Sequence, residues 1–184
     1  MVTGSLEYDA FSTWLASIDS PILTSISQAI DILIYPLLFI FLLYLAFVKK
    51  ERKKAFIMGV TYLILIFLIF SLKFVFSEPR PCTAPWKIQC PADSALPSGH
   101  AAAMAVLVIA YLTTSMFPPA LLFYIIVSLS RIYLGIHVFK DVLAGTAIAF
   151  VVFLVVEKLF APKFGRWFVE DKFKPGKTGV RSKK

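Results

Sequence analysis

Five stretches of this chain are so long and so apolar that they bound everything it can fold into. They run over approximately 29–48, 55–76, 100–117, 118–136 and 139–160. An α-helix needs about 20 largely apolar residues to cross roughly 30 Å of hydrocarbon, and each stretch approaches that length. The second, built around VTYLILIFLIF, is the densest. The third, HAAAMAVLVIAYLTTSMF, is rich in alanine, which suits close packing between helices. Little more than Pro118-Pro119 separates the third from the fourth, so a tight helical hairpin is expected there. The expected fold is all-α: an integral-membrane helical bundle with about five transmembrane helices.

Composition agrees with that solvent. Hydrophobic residues make up 59% of the chain, against about 45–50% in soluble proteins, and the mean hydropathy is +0.80. The sequence shows no Gly/Ser linker, low-complexity tract or internal repeat. Residues 1–162 therefore read as one membrane-embedded domain and 163–184 as a basic cytoplasmic tail. The opening segment, MVTGSLEYDAFSTWLASIDSP, has no basic n-region and carries Glu7, Asp9 and Asp19, unlike a cleavable signal peptide. Its Phe11, Trp14, Leu15 and Ile18 recur at helical spacing, which predicts an N-terminal amphipathic interfacial helix with Trp14 at headgroup level. A packing helix of the soluble type is the alternative.

Where the 19 Lys and Arg fall sets the orientation. Five lie at 49–54, after the first span, and nine lie from Lys158 to Lys184; the first 48 residues contain none. By the positive-inside rule the N-terminus is outside, the C-terminus inside, and there are five crossings. The net charge of +8 is then mostly topological and lipid-facing, which argues against a nucleic-acid partner.

With that orientation three segments meet at the outer face: KFVFSEPRP (73–81), LPSGHAAA (96–103) and SLSRIYLGIHVFKDVLAG (128–145). Lys73, Arg80 and Arg131 are cations on the side the rule disfavours, and together they would receive a dianion, Arg through paired contacts and Lys as a point charge. Pro97-Ser98-Gly99 reads as a turn into a helix beginning near His100. A helix N-terminus favours phosphate, Ser98 offers a hydroxyl, and Gly99 lets backbone approach an anion. His100 stands where a leaving group would exchange a proton. His137 and Asp141 are spaced i,i+4 and face one another, so the carboxylate would fix the tautomer and leave the other nitrogen nucleophilic.

Taken singly, each feature has a bland reading. Arg80-Pro81 makes an ordinary turn, Pro-Ser-Gly-His an ordinary helix start, and His137 with Asp141 a satisfied interfacial pair. Lys87, Lys140 and Glu78 are assigned to the solvated surface. Coincidence shifts the weight, because both histidines of the chain fall beside all the misplaced cations.

Lys73-x6-Arg80-Pro81, Pro97-Ser98-Gly99-His100 and Ser130-Arg131-x5-His137-x3-Asp141 also resemble, in order, the three signature motifs of the type 2 phosphatidic acid phosphatase superfamily. That superfamily includes lipid phosphatases, glucose-6-phosphatase and vanadium haloperoxidases. The resemblance spans 73–141 with no signature position substituted. It implies metal-independent phosphoryl transfer through a phosphohistidine, with no cofactor. His137 would be the nucleophile and Asp141 its orienting partner. His100 would protonate the leaving oxygen and then activate water. Lys73, Arg80, Ser98, Gly99 and Arg131 would hold the phosphoryl oxygens. Compared with six-span members, a first spanning helix is expected to be missing, the amphipathic segment standing where their second helix approaches.

A shallow site at the outer face above apolar helices suits a lipid whose tail stays in the bilayer. Within lipids, the resemblance to short, compact members of that superfamily implies polyprenyl diphosphate, of undecaprenyl or dolichyl type, as the substrate at the plasma membrane, with phosphatidylglycerophosphate or phosphatidate the alternative. A phosphotransferase and a non-enzymatic lipid-phosphate binder on the same fold are the competing classes. Cys82 and Cys90 flank TAPWKIQ in the outer loop, where the compartment permits a disulfide. Two cysteines and two distant histidines lack zinc-like spacing, so no metal site is expected. The sequence is silent on oligomeric state.

Overall fold

The computed structural model describes residues 8–82 and 87–164, with side chains described to residue 160. The expected basic tail at 163–184 therefore lies almost wholly outside the described residues. All regular structure among them is helical: α1 Ala10–Ser17, α2 Pro21–Leu43 continuing as a π-helical turn through Val48, α3 Arg52–Phe76, α4 Gly99–Tyr111, α5 Phe117–Tyr133 and α6 Phe139–Phe164. The segments Pro21–Val48, Arg52–Phe76 and Phe139–Phe160 are each long and apolar enough to cross a membrane. The apolar α4 and α5, at 13 and 17 residues, are about 20 and 25 Å long at 1.5 Å per residue.

Local chemistry explains the boundaries. Ser20 caps α2 by accepting the Leu23 N–H, with Pro21 in the first turn, where the missing donor costs nothing. The expected hairpin turn at Pro118-Pro119 is displaced for the same reason. α4 stops at Tyr111, residues 112–116 make the turn, and the two prolines open α5. At the far end of α3, Ser77 takes a left-handed conformation (φ 45°) and its N–H closes on the Lys73 carbonyl, releasing the chain into the α3–α4 loop.

α4 is the axis of the bundle. Its alanines and Met104, Val106 and Ile109 are buried between α3, α5 and α6, while outward side chains such as Phe67 and Phe74 are 75% and 85% exposed. An apolar exterior of that kind is what a bilayer solvates. α1 fits the same logic. Phe11 and Trp14 point outward, whereas Ser12 and Ala16 are buried, and the Ser12 hydroxyl accepts the Phe139 N–H at 2.9 Å, at the start of α6.

Candidate active site

Three pieces of chain far apart in sequence converge at one end of the bundle. They are the last turn of α3 with the loop beyond it, the first turn of α4, and the segment joining α5 to α6. A disulfide between Cys82 and Cys90, Cα atoms 5.8 Å apart, closes the loop just after Arg80. The Ser98 hydroxyl caps α4 by accepting the Ala101 N–H, and the Ser98 N–H donates to the Asp141 carbonyl at 3.0 Å. The starts of α4 and α6 are thereby tied together. Gly145, one turn along α6, makes this approach feasible: a Cβ there would stand 2.3 Å from the Ser98 carbonyl oxygen.

That tie fixes the first histidine. His137 Nδ1 lies 3.2 Å from Asp141 Oδ2, which also accepts the Val138 N–H at 3.0 Å. Both side chains are buried. On the opposite edge of the ring, Arg80 Nη1 lies 3.2 Å from Nε2. A guanidinium only donates, so Nε2 carries the lone pair and Nδ1 the proton. Burial, helped by the Arg80 charge, pushes the His137 imidazole down to about 4 against the opposing Asp141 hydrogen bond. The ring is neutral near physiological pH, with its free lone pair aimed at a cation.

Two ion clusters flank it. In the first, Asp93 from the loop bridges Lys73 and Arg80. Lys73 Nζ donates to one carboxylate oxygen and to the Ser94 carbonyl at 2.8 Å. Arg80 donates to the other carboxylate oxygen at 2.7 Å, to the Asp93 carbonyl at 3.0 Å and to the Ile136 carbonyl at 3.0 Å. Burial alone would raise the Asp93 carboxyl, but the hydrogen bonds from Lys73 and Arg80 outweigh it and hold Asp93 below the usual carboxylate range. In the second cluster, the fully buried Arg131 binds the Asp31 carboxylate and donates to the Ser27 carbonyl at 3.1 Å. His100 sits against the same aspartate. Its Nε2 is 3.3 Å from the Asp31 carbonyl and 3.5 Å from Oδ1, and its Nδ1 is 3.5 Å from the Tyr35 hydroxyl.

Both clusters and His137 open into one cavity of about 730 Å³. Its upper wall carries Lys73, Arg80, Asp93, His100, Arg131 and His137, and its lower wall Leu38, Leu42, Gly59, Leu63, Ile66 and Phe70. Along α3 the step from Lys73 to Gly59 is fourteen residues, about 21 Å. A compact charged group fits above and a hydrocarbon chain below.

Of the eight residues singled out from the sequence, six line this cavity: Lys73, Arg80, Gly99, His100, Arg131 and His137. Ser98 and Asp141 are fully buried behind the wall and act on it through the contacts above. The sequence reading missed Asp31, Tyr35 and Asp93. Asp31 had a visible signal, an acid inside the apolar run AIDILIYPLL, where an ionisable group is costly without a partner. Asp93 sits in an ordinary polar loop and had none. Two assignments to the solvated surface need correction, Lys87 and Glu78, while Lys140 is exposed as expected. Lys87 is 6% exposed and donates to the carbonyls of Ala16 (2.7 Å) and Tyr133 (2.8 Å), with its ammonium 3.7 Å from the Tyr133 ring centre. Lys140 and Glu78 form an ion pair, although Lys140 stays largely in solvent.

A family model described as the PAP2 superfamily matches residues 54–164. Among solved structures, a transmembrane PAP2-type phosphatidylglycerolphosphate phosphatase from Bacillus subtilis is similar, with a TM-score of 0.69, 23% identity and 86% of each chain covered. LpxE of Aquifex aeolicus is similar with a TM-score of 0.66 and 20% identity, over 80% of this chain and 93% of that one. No curated protein sequence matches.

Proposed function

This chain belongs to the PAP2 superfamily, and from that premise we propose that it is an integral-membrane lipid phosphatase working through a phosphohistidine. The observation that carries the reading is the state of His137: neutral, held by Asp141 on one nitrogen, and facing the cavity with the lone pair of the other. A phosphoryl group entering the cavity takes the place of the Asp93 and Asp31 carboxylates among the cations. Arg80 then moves from Nε2 to a phosphoryl oxygen, which frees the lone pair. Nε2 attacks phosphorus, the P–O bond to the lipid breaks, and His100 gives its proton to the departing oxygen. Negative charge on the transferring group is met by Lys73, Arg80 and Arg131 and by the backbone at Gly99. In the second half His100 takes a proton from water, which attacks the phosphohistidine and releases inorganic phosphate. Asp141 stabilises the charge on His137 while it is phosphorylated, and no metal is used.

Polyprenyl diphosphate is the proposed substrate. The depth of the apolar lower wall favours a long chain. Phosphatidylglycerophosphate is the second reading, favoured by the similarity to the Bacillus subtilis enzyme. The working unit is the domain at 1–162 in the plasma membrane. Its N-terminus and site are placed on the extracytoplasmic face, and its basic tail lies inside.

The test is phosphate release in detergent, with EDTA present, from each of the two lipids. We expect release that survives EDTA and falls about 10³-fold or more in His137→Ala, as removal of a nucleophile does elsewhere. The better substrate selects between the two lipids. Release abolished by EDTA defeats the metal-free mechanism, and full activity in the variant defeats the assignment of the nucleophile. No release from well-folded wild type leaves a lipid-phosphate binder, or a transferase if an added alcohol acceptor restores turnover.

A further inference from the structure

The motif residues account for one histidine with a carboxylate, His137 with Asp141. The structure holds a second such pair, and its acid lies outside every motif. Asp31 is an acidic residue eleven positions into the apolar helix α2, about 15 Å from its start at 1.5 Å per residue. An ionised side chain there is costly unless it is partnered and put to use. It is partnered twice, by Arg131 from α5 and by His100 from α4. Its side chain is 28% exposed and lines the cavity.

His100 is framed mainly by α2. Asp31 presents its backbone carbonyl at 3.3 Å and Oδ1 at 3.5 Å to Nε2. Tyr35, one turn further along, places its hydroxyl 3.5 Å from Nδ1 and its ring centre 4.7 Å from that of the imidazole. The other charged or titratable groups around the ring are Arg131, His137, Lys73, Arg80 and Asp93 on the same cavity wall. Among these Asp31 is the anion in reach of the His100 ring. A histidine surrounded by cations has little reason to hold a proton, and a carboxylate beside it supplies one.

We propose that Asp31 is the positioning residue of His100. It keeps the imidazole oriented and its proton available for the leaving oxygen, as Asp141 orients His137 for attack. This rests on the phosphatase reading above. In the first half-reaction the proton passes from His100 to the oxygen as the P–O bond breaks. In the second, His100 regains a proton from the attacking water, and Asp31 compensates the imidazolium that forms. Arg131 shares Asp31 while the cavity is empty and turns to the phosphoryl oxygens when substrate arrives, leaving the carboxylate to His100.

The experiment uses the full chain in detergent and two monoesters, an alkyl phosphate and p-nitrophenyl phosphate. The alcohol leaves only with a proton, whereas the nitrophenolate leaves without one. In Asp31→Asn we expect kcat/KM, which reports the steps up to formation of the phosphohistidine and not its hydrolysis, to fall about 100-fold for the alkyl ester, the lower range for losing acid catalysis, and by less than about tenfold for the aryl ester. On a His100→Ala background the same substitution should change alkyl turnover by no more than about twofold, because the two residues act as one unit. Asp31→Glu should restore part of the loss. Equal falls for both esters, or losses that simply multiply with His100→Ala, overturn the proposal and leave Asp31 as a counter-ion of Arg131 only. Should Asp31→Asn alone fail to fold, Asp31→Asn with Arg131→Met removes both charges. Its alkyl-to-aryl ratio, set against Arg131→Met, must still drop at least about tenfold. Absent hydrolysis of any ester or lipid by wild type would instead defeat the phosphatase reading itself.

Discussion

The two ion clusters of the cavity use the same chemistry on different foundations. Lys73, Arg80 and Asp93 sit at the end of one helix and in the loop that follows it, within 20 residues of chain. Arg131, Asp31 and His100 come from three separate helices, with Arg131 and Asp31 100 residues apart. Asp93 is 44% exposed, whereas Arg131 is fully buried. The first cluster is a local clasp whose carboxylate meets solvent while its Arg80 and Lys73 side chains are 6% and 10% exposed. The second is part of the packing of the bundle. On the proposed mechanism a phosphate displaces a carboxylate in both places, yet only the second cluster also joins α2 to α4 and α5.

The sharpest way to break this contrast is to remove one arginine from each cluster. Arg131→Met leaves the Asp31 carboxylate without its main partner and should cost about 3 kcal/mol of stability. Arg80→Met should cost about 1 kcal/mol or less, since its aspartate remains hydrated and keeps Lys73. Both should lose turnover. Thermal unfolding in detergent reads the difference, and equal losses of stability would show that the two clusters are built alike.

A smaller effect is expected where α6 meets α4. Gly145→Ala pushes a methyl group into the Ser98 carbonyl, and overpacking of that kind costs about 2 kcal/mol. Activity should fall with it, because the same contact sets His137 against Asp141. A variant that unfolds earlier while keeping full turnover would show that the histidine pair does not depend on this helix contact.

A further effect is a response to acid, in the first cluster and in His137 beside it. Asp93 is held below its ordinary value in the folded chain, so its contribution is present above the normal carboxylate range and is lost as pH falls through its folded value. His137 is lowered from 6.5 to about 4. Between those values the unfolded chain binds the extra proton, so stability again falls as pH falls. Unfolding temperature should therefore decline from about pH 7 toward pH 4. The decline should be shallower in His137→Gln, and Asp93→Asn should remove only the part at the acid end. An unchanged slope in both variants would mean that neither group is linked to folding as described.

These foundations also decide what could be read in advance. Lys73, Arg80, His100, Arg131, His137 and Asp141 were legible because short spacings fix them. Six residues separate Lys73 from Arg80, and three separate His137 from Asp141 along a helix start. The membrane bundle was legible from hydropathy, which counts residues without needing to know their neighbours. Asp31 and Tyr35 were not, because the face of α2 that meets His100 is chosen by packing across the bundle. The displaced α4–α5 turn was misread because a proline pair was taken as the break, although it opens the next helix. Lys87 was misread because a lysine in a polar loop looks solvated until two carbonyls and a ring from distant helices close round it.

That enclosure of Lys87 has a consequence for the order in which the molecule is completed during synthesis. Its ammonium joins Ala16, 71 residues earlier in the chain, to Tyr133, 46 residues later. α1 is made before α5, yet it cannot reach its final seat until α5 has emerged and been inserted. Until then it must wait at the membrane surface, where the outward aromatic side of Phe11 and Trp14 can rest among the headgroups. The seating of α1 at this end of the bundle therefore follows the synthesis of α5, and the Ser12 contact to Phe139 makes it wait for the start of α6 as well.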